Sequence, residues 1–117
     1  MRILVVDDEP DVCATIALML ARLGYTCDTA ASGLEALHKQ AEHPADVILT
    51  DLGMPGMNGL ELAQRIKATT PSIRIIVITG WPLQLSDEQL RQHGVECVIN
   101  KPVRLKELLA VLTTGRR

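Results

Sequence analysis

The chain has 117 residues, 47% of them hydrophobic, with 12 basic and 14 acidic side chains and a formal net charge of −2. That length suits one domain around one core, so residues 1–117 are expected to fold as a single unit, and no segment has the composition of a disordered chain. The charge balance gives no electrostatic reason to expect nucleic-acid binding, and three widely spaced cysteines without a Cys-x-x-Cys pair argue against a disulfide framework or a zinc site.

The first apolar run, Ile3 to Val6, stops on Asp7 and Asp8. It is too short for a signal peptide's apolar region or a membrane span and reads as a buried strand. With reduced thiols, that places the protein in the cytoplasm. Val12, Ile16, Leu20 and Leu23 then mark one face of a helix that Gly24 ends. The next run, "YTCDT", is weaker and more polar, as suits an edge strand. Ser32 is placed to cap a second helix carrying Leu34, Leu37 and Ala41, which stops near Pro44.

The third run, "DVILT", ends on Asp51, after which Gly53, Pro55 and Gly56 break the chain. Met54 and Met57 read as packing residues. Asn58 is placed to cap a third helix with Leu60, Ala63 and Ile66 inward and Pro71 beyond its end. The fourth run, "IRIIVIT", ends on Thr79, and Trp81 and Pro82 follow. Pro82 delays the next helix, so a long, mobile loop is expected from Gly80 to about Ser86. Ser86 would cap a short fourth helix, "DEQLRQH", closed by Gly94. After the last run, "ECVIN", come Lys101 and a fifth helix from about Val103 with Leu105, Leu108, Leu109 and Leu112. The final pair, Arg116-Arg117, reads as a solvated tail or the start of a linker.

Strict alternation of strand and helix implies right-handed crossovers and a five-stranded parallel sheet with helices on both faces, an α/β fold. Asp7, Asp8, Asp51, Thr79 and Lys101 all fall at carboxyl ends of strands, the edge at which open α/β sheets bind ligands. Three carboxylates held close either protonate or recruit a divalent cation. Magnesium suits oxygen ligands of this kind, whereas zinc would want His or Cys at the rim. An Asp carboxylate can act as a nucleophile toward phosphorus, with a metal and Lys101 countering the repulsion between two anions. The glycine series 53, 56 and 59 lacks the spacing of a nucleotide-binding loop; Gly53 instead suits close backbone approach and could lend its carbonyl to the metal.

"ILVVDDEP", "GYTCDTAASGLEAL", "DVILTDLGMPGMNGLEL", "IIVITG" and "VINKP", in that order and over nearly the whole chain, resemble the receiver domain of two-component response regulators. The resemblance implies a flavodoxin-like (βα)5 domain, like the chemotaxis receivers, with strand order 2-1-3-4-5. It implies Asp51 as phosphoacceptor, Asp8 and Asp51 as direct ligands of Mg2+, Asp7 acting mainly through water, and the Gly53 carbonyl as a further ligand. Thr79 would be the switch hydroxyl, and Lys101 the cation that pairs with Asp51 or its phosphate. Pro102 would be preceded by a cis peptide, which an X-Pro bond makes accessible.

The phosphoryl donor would be a histidine kinase or a histidine phosphotransfer protein, because His38, His43 and His93 all lie away from the expected rim. The domain would catalyse only its own phosphorylation and dephosphorylation, act on an unidentified effector, and be able to form a homodimer; the family often uses the face made by helix 4, strand 5 and helix 5 for output. Two departures stand out: Val98 occupies a position where many receivers carry Tyr or Phe, and Val103 one where Phe is common. Trp81 could shade the site or contribute to a docking surface. Two rival functions remain: a magnesium-dependent phosphatase of the haloacid-dehalogenase kind, which would want a second Asp where Gly53 stands, and a phosphorylation-independent interaction module. The chain is either a free-standing regulator or the receiver portion of a hybrid kinase or longer regulator.

Overall fold

A computed structural model describes residues 1–80 and 85–114. Five strands and five helices alternate: β1 (Arg2–Val6), α1 (Pro10–Arg22), β2 (Thr26–Ala30), α2 (Gly33–Glu42), β3 (Val47–Asp51), α3 (Gly59–Thr69), β4 (Arg74–Thr79), α4 (Asp87–Gln92), β5 (Cys97–Asn100) and α5 (Leu105–Thr114). All strand pairs are parallel, in the order β2-β1-β3-β4-β5. The polar second run therefore does form an edge strand.

The period-2 alternation of the strands divides the core between two faces. Leu4, Val6, Ile48, Ile75 and Val77 pack with Ala36 of α2, Leu62, Ala63 and Ile66 of α3, and Leu90 of α4. Ile3, Val5, Val47, Leu49, Ile76, Ile78 and Ile99 pack with Cys13, Ile16 and Leu20 of α1 and Leu108 and Leu112 of α5. This division follows from right-handed crossovers: the chain moves one way from β1 to β2 and the other way from β2 onward, so α1 and α2–α4 must lie on opposite faces.

Local chemistry sets the helix starts. The side chain of Ser32 accepts from Glu35 N, and Asn58 and Ser86 each form a capping box, with Glu61 and Gln89 respectively. The buried helix faces differ in part from expectation. In α2 the inward residues are Gly33, Ala36 and Gln40, while Leu34 is 62% exposed and Ala41 is exposed. Gln40 is a polar residue in a core position because it closes the turn into β3: its Oε1 accepts from Ala45 N at 2.9 Å and its Nε2 donates to Ala45 O at 3.3 Å. Helix α5 begins at Leu105 and buries Leu108 and Leu112, leaving Leu105 and Leu109 exposed. Trp81, Pro82 and most of the loop expected between Gly80 and Ser86 lie outside the described residues, as does the Arg116-Arg117 pair.

Cys13, Cys27 and Cys97 are free thiols. Burial, reinforced by Asp28 and by Glu96 respectively, pushes Cys27 and Cys97 up to about 11, so neither is a thiolate at neutral pH.

One buried charge escapes any reading of "IRIIVIT" as an apolar strand. Arg74 is 6% exposed. Its guanidinium grips Glu96 through Nε–Oε1 at 2.8 Å and Nη2–Oε2 at 2.6 Å, and donates to Val111 O at 2.8 Å and Leu112 O at 3.1 Å. It thereby satisfies carbonyls in the last turn of α5 and ties that helix to β4. Arg74→Ala is expected to cost about 3 kcal/mol of unfolding free energy in a urea titration, the scale for breaking a buried pair. Arg74→Met combined with Glu96→Leu should recover most of that loss; a single variant of parental stability would refute the tie.

Candidate functional site

The strand order reverses between β1 and β3, and at such a switch point the crossovers leave a crevice at the carboxyl edge. Asp7 follows β1 and Asp51 ends β3, so the two carboxylates flank it. The Asp7 amide extends the sheet by donating to Ala30 O at 3.1 Å, which holds its side chain inward, 3% exposed. Asp7 Oδ1 accepts from Glu9 N at 2.9 Å. The first helix starts on Pro10 with no side-chain cap at Glu9, so neither Asp8 nor Glu9 is spent on capping.

Lys101 crosses the rim from the far side. Its amide donates to Thr79 O at 2.8 Å, continuing the β4–β5 pairing one residue past the strand. Its Nζ then lies 3.2 Å from Asp7 Oδ2 and 3.2 Å from Asp51 Oδ1. The Lys101-Pro102 peptide bond is cis. Thr79 is buried at the same edge.

Asp7, Asp8 and Asp51 each offer a carboxylate oxygen, and these oxygens lie within 4.8 Å of one another. Asp8 is exposed, whereas Asp51 is only 8% exposed. Burial, and then the charge of Asp7, raise the Asp51 carboxyl above the usual carboxylate range; Lys101 and the Leu52 amide oppose the shift without cancelling it. Burial alone would lower Lys101, but its hydrogen bond to Asp51 and the charges of Asp51 and Asp7 prevail and hold it above the usual ammonium range. Lys101 is therefore firmly cationic and the cluster carries an excess of negative charge. All-oxygen donors of this kind suit a hard divalent cation, and the residues fit Mg2+.

The structure thus joins Asp7, Asp8, Asp51 and Lys101 and sets Thr79 on the same edge. Gly53 is exposed, and a Cβ added there would meet no atom within 4 Å. The close backbone approach belongs instead to Gly59, where an added Cβ would lie 2.4 Å from Asp51 O. Sequence reasoning missed this place of Gly59, and it missed Thr50, whose Oγ1 donates to the same Asp51 O at 2.9 Å. The available signal was a glycine at the first position of a helix, where no turn requires one. His38 and His43, in and just after α2, are exposed, and His93 pairs with Gln64 at 3.0 Å; none belongs to the cluster.

Comparison with known proteins agrees with this geometry. Residues 3–113 match the family described as response regulator receiver domain. The chain is 35% identical over 113 residues to the sensor histidine kinase RcsC of Escherichia coli K12, covering 97% of this chain and 12% of that protein. It is 33% identical over 117 residues to the transcriptional regulatory protein KdpE of Mycobacterium tuberculosis, covering 98% of this chain and 50% of that protein. It therefore spans half or less of these relatives. Among solved structures, chemotaxis protein CheY4 of Vibrio cholerae superposes with a TM-score of 0.90 at 27% identity, covering 98% of both chains. Response regulator TrrA of Thermotoga maritima, in complex with Mg2+ and BeF, superposes with a TM-score of 0.88 at 33% identity over 98% of both. Receiver domains of this family take phosphoryl groups from histidine kinases and generally bind Mg2+ through acidic residues. With the family pattern running through nearly its whole length, the chain belongs to the response regulator receiver domains of two-component systems.

Proposed function

We propose that Asp51 is the phosphoacceptor of this receiver and that Asp7, Asp8, Asp51 and the Gly53 carbonyl form its Mg2+ site, Asp7 acting mainly through water. One observation carries the assignment: Asp51 Oδ1 and Asp7 Oδ2 share a single lysine, each 3.2 Å from its Nζ, with Asp8 close by. An ordinary structural carboxylate would be fully neutralised; this cluster is not. The family resemblance and the Mg2+–BeF complex of TrrA support the same assignment.

In the proposed reaction a carboxylate oxygen of Asp51 attacks the phosphorus of a phosphohistidine. The O–P bond forms as the P–N bond breaks, and the electron pair leaves with the imidazole, which is protonated on departure. Asp51 supplies the nucleophile, and burial beside Asp7 keeps its charge poorly solvated. Lys101 stays protonated throughout, holds the carboxylate in position and then faces the acyl phosphate. Bound Mg2+ would supply charge neutralisation between the carboxylate and the phosphoryl oxygens. Thr79 is the residue placed to turn its hydroxyl toward the phosphoryl group and carry the change into the face made by α4, β5 and α5.

The donor histidine comes from a histidine kinase or phosphotransfer protein, since none of this chain's three histidines belongs to the cluster. We further propose a cytoplasmic setting, a single receiver unit over residues 1–117, and an effector, or a second copy of the domain, that reads the phosphorylated state. Among the described residues no helix is long and apolar enough to cross a membrane.

Incubation with Mg2+ and acetyl phosphate should load acid-labile phosphate onto the parent and not onto Asp51→Asn. Equal labelling of the two would end the assignment. Lys101→Met should slow labelling by about a hundredfold, the scale for losing one aimed electrostatic partner.

A second outcome follows from the raised Asp51 carboxyl. A carboxyl whose folded pKa exceeds its unfolded value leaves the folded state binding the proton more tightly. It destabilises the fold above the folded pKa and stops doing so below the unfolded one. In chelator, Asp51→Asn should therefore show a higher urea midpoint than the parent at neutral pH. The gap should close as the pH falls through the carboxylate range, and Mg2+ at neutral pH should narrow it. A gap of constant size from acid to neutral pH would contradict the shift.

A further inference from the structure

Two residues, Thr50 and Gly59, meet the main chain of Asp51. Thr50 is fully buried at the end of β3, and its Oγ1 donates to Asp51 O at 2.9 Å. The first residue of α3 lies close to the same peptide. A Cβ on Gly59 would stand 2.4 Å from Asp51 O, 3.3 Å from Asp51 C and 3.2 Å from Leu52 Cα. Each of these is a backbone atom, unable to swing aside as a side-chain tip would. The Gly59 amide donates to Leu52 O at 2.8 Å, which fastens the helix start to the residue after Asp51. Helix α3 has little freedom to yield: the Asn58–Glu61 capping box fixes its first turn, and Leu62, Ala63 and Ile66 are buried in the core.

From this arrangement we infer that Thr50 and Gly59 are positioning residues for the phosphoacceptor: together they clamp the Asp51 carbonyl and so fix where its carboxylate meets Asp7 and Lys101. The inference rests on Asp51 being the phosphoacceptor. Neither residue touches the reacting atoms; both act through the Asp51 main chain. A purely structural role is the competing explanation. Thr suits a strand, and a buried hydroxyl must bond somewhere. Yet the hydroxyl and the glycine converge on one carbonyl oxygen, that of the residue whose side chain carries the chemistry. Reacting groups displaced by about 1 Å lose up to about a hundredfold in rate, so small tilts of this peptide matter.

The test compares Thr50→Val, Thr50→Ser, Gly59→Ala and Ile66→Val in the whole chain, with acetyl phosphate as donor and Mg2+ present. Ile66→Val trims the same helix without touching Asp51 and serves as the stability control. Each rate is scaled to the folded fraction measured by urea titration. Thr50→Val and Gly59→Ala should lower the saturating labelling rate about tenfold, with the half-saturating acetyl phosphate concentration within about twofold of the parent. Thr50→Ser, which keeps the hydroxyl, and Ile66→Val should stay within about threefold of the parent rate. If Gly59→Ala does not fold, the two Thr50 variants decide. Parental rates in Thr50→Val, or an equal loss in Thr50→Ser, would overturn the clamp. An Asp51→Asn variant that labels as well as the parent would instead overturn the phosphoacceptor assignment beneath it.

Discussion

The structure turns on a charge imbalance that the fold creates and does not resolve. Where β1 and β3 part, two nearly buried carboxylates and an exposed third meet one lysine, so three negative charges face a single positive one. Lys101 Nζ stands 3.2 Å from an oxygen of each of Asp7 and Asp51. Like charges in a partly desolvated crevice repel far more strongly than in water. The folded chain tolerates the repulsion because the two apolar faces of the sheet stabilise it independently of this edge. The residual negative charge is of the kind that suits a hard cation, and receiver domains of this family generally bind Mg2+ through acidic residues.

The opposite edge of the same sheet shows what a structural buried charge looks like. Arg74, at the start of β4, has a bidentate carboxylate partner and two helix carbonyls, so its donors are well satisfied. At the other end of that strand, Thr79 enters the acidic rim. One strand thus runs from a saturated charge to an unsaturated cluster. Saturation, more than burial, separates the two cases: a fully partnered ion fixes a helix in place, and an under-neutralised group is left with chemistry to do.

Much of this was legible in the sequence, for identifiable reasons. Strands buried on both faces write themselves as Val and Ile runs, and the caps at Ser32, Asn58 and Ser86 depend on atoms only three residues away. The acidic residues could be placed on one rim because strand ends in a parallel sheet share an edge. What failed was whatever depends on partners distant in sequence. Leu34 looked like a core residue of α2, but the sheet lies toward Ala36 and Gln40, and Gln40 is acceptable there only because the turn at Ala45 meets its amide. Arg74 passed unremarked inside an apolar run, since its partners stand 22 and nearly 40 positions away. Gly59 was grouped with Gly53 and Gly56, and only the packing of α3 onto Asp51 separates it from them.

Where a change at the rim can spread is set by how firmly each neighbouring element is anchored. Helix α3 buries Gly59, Leu62, Ala63 and Ile66 and is fastened to Leu52, so it acts as the fixed wall of the site. Helix α4 has six residues and a single buried one, Leu90. Shifting α4 exposes far less apolar surface than shifting α3, and elements with few buried contacts are the ones that open at low cost. Val98, half-buried on β5 beside that helix, offers no ring to swing between inward and outward positions. A change at the rim therefore meets less resistance at α4, held by Leu90, than at α3.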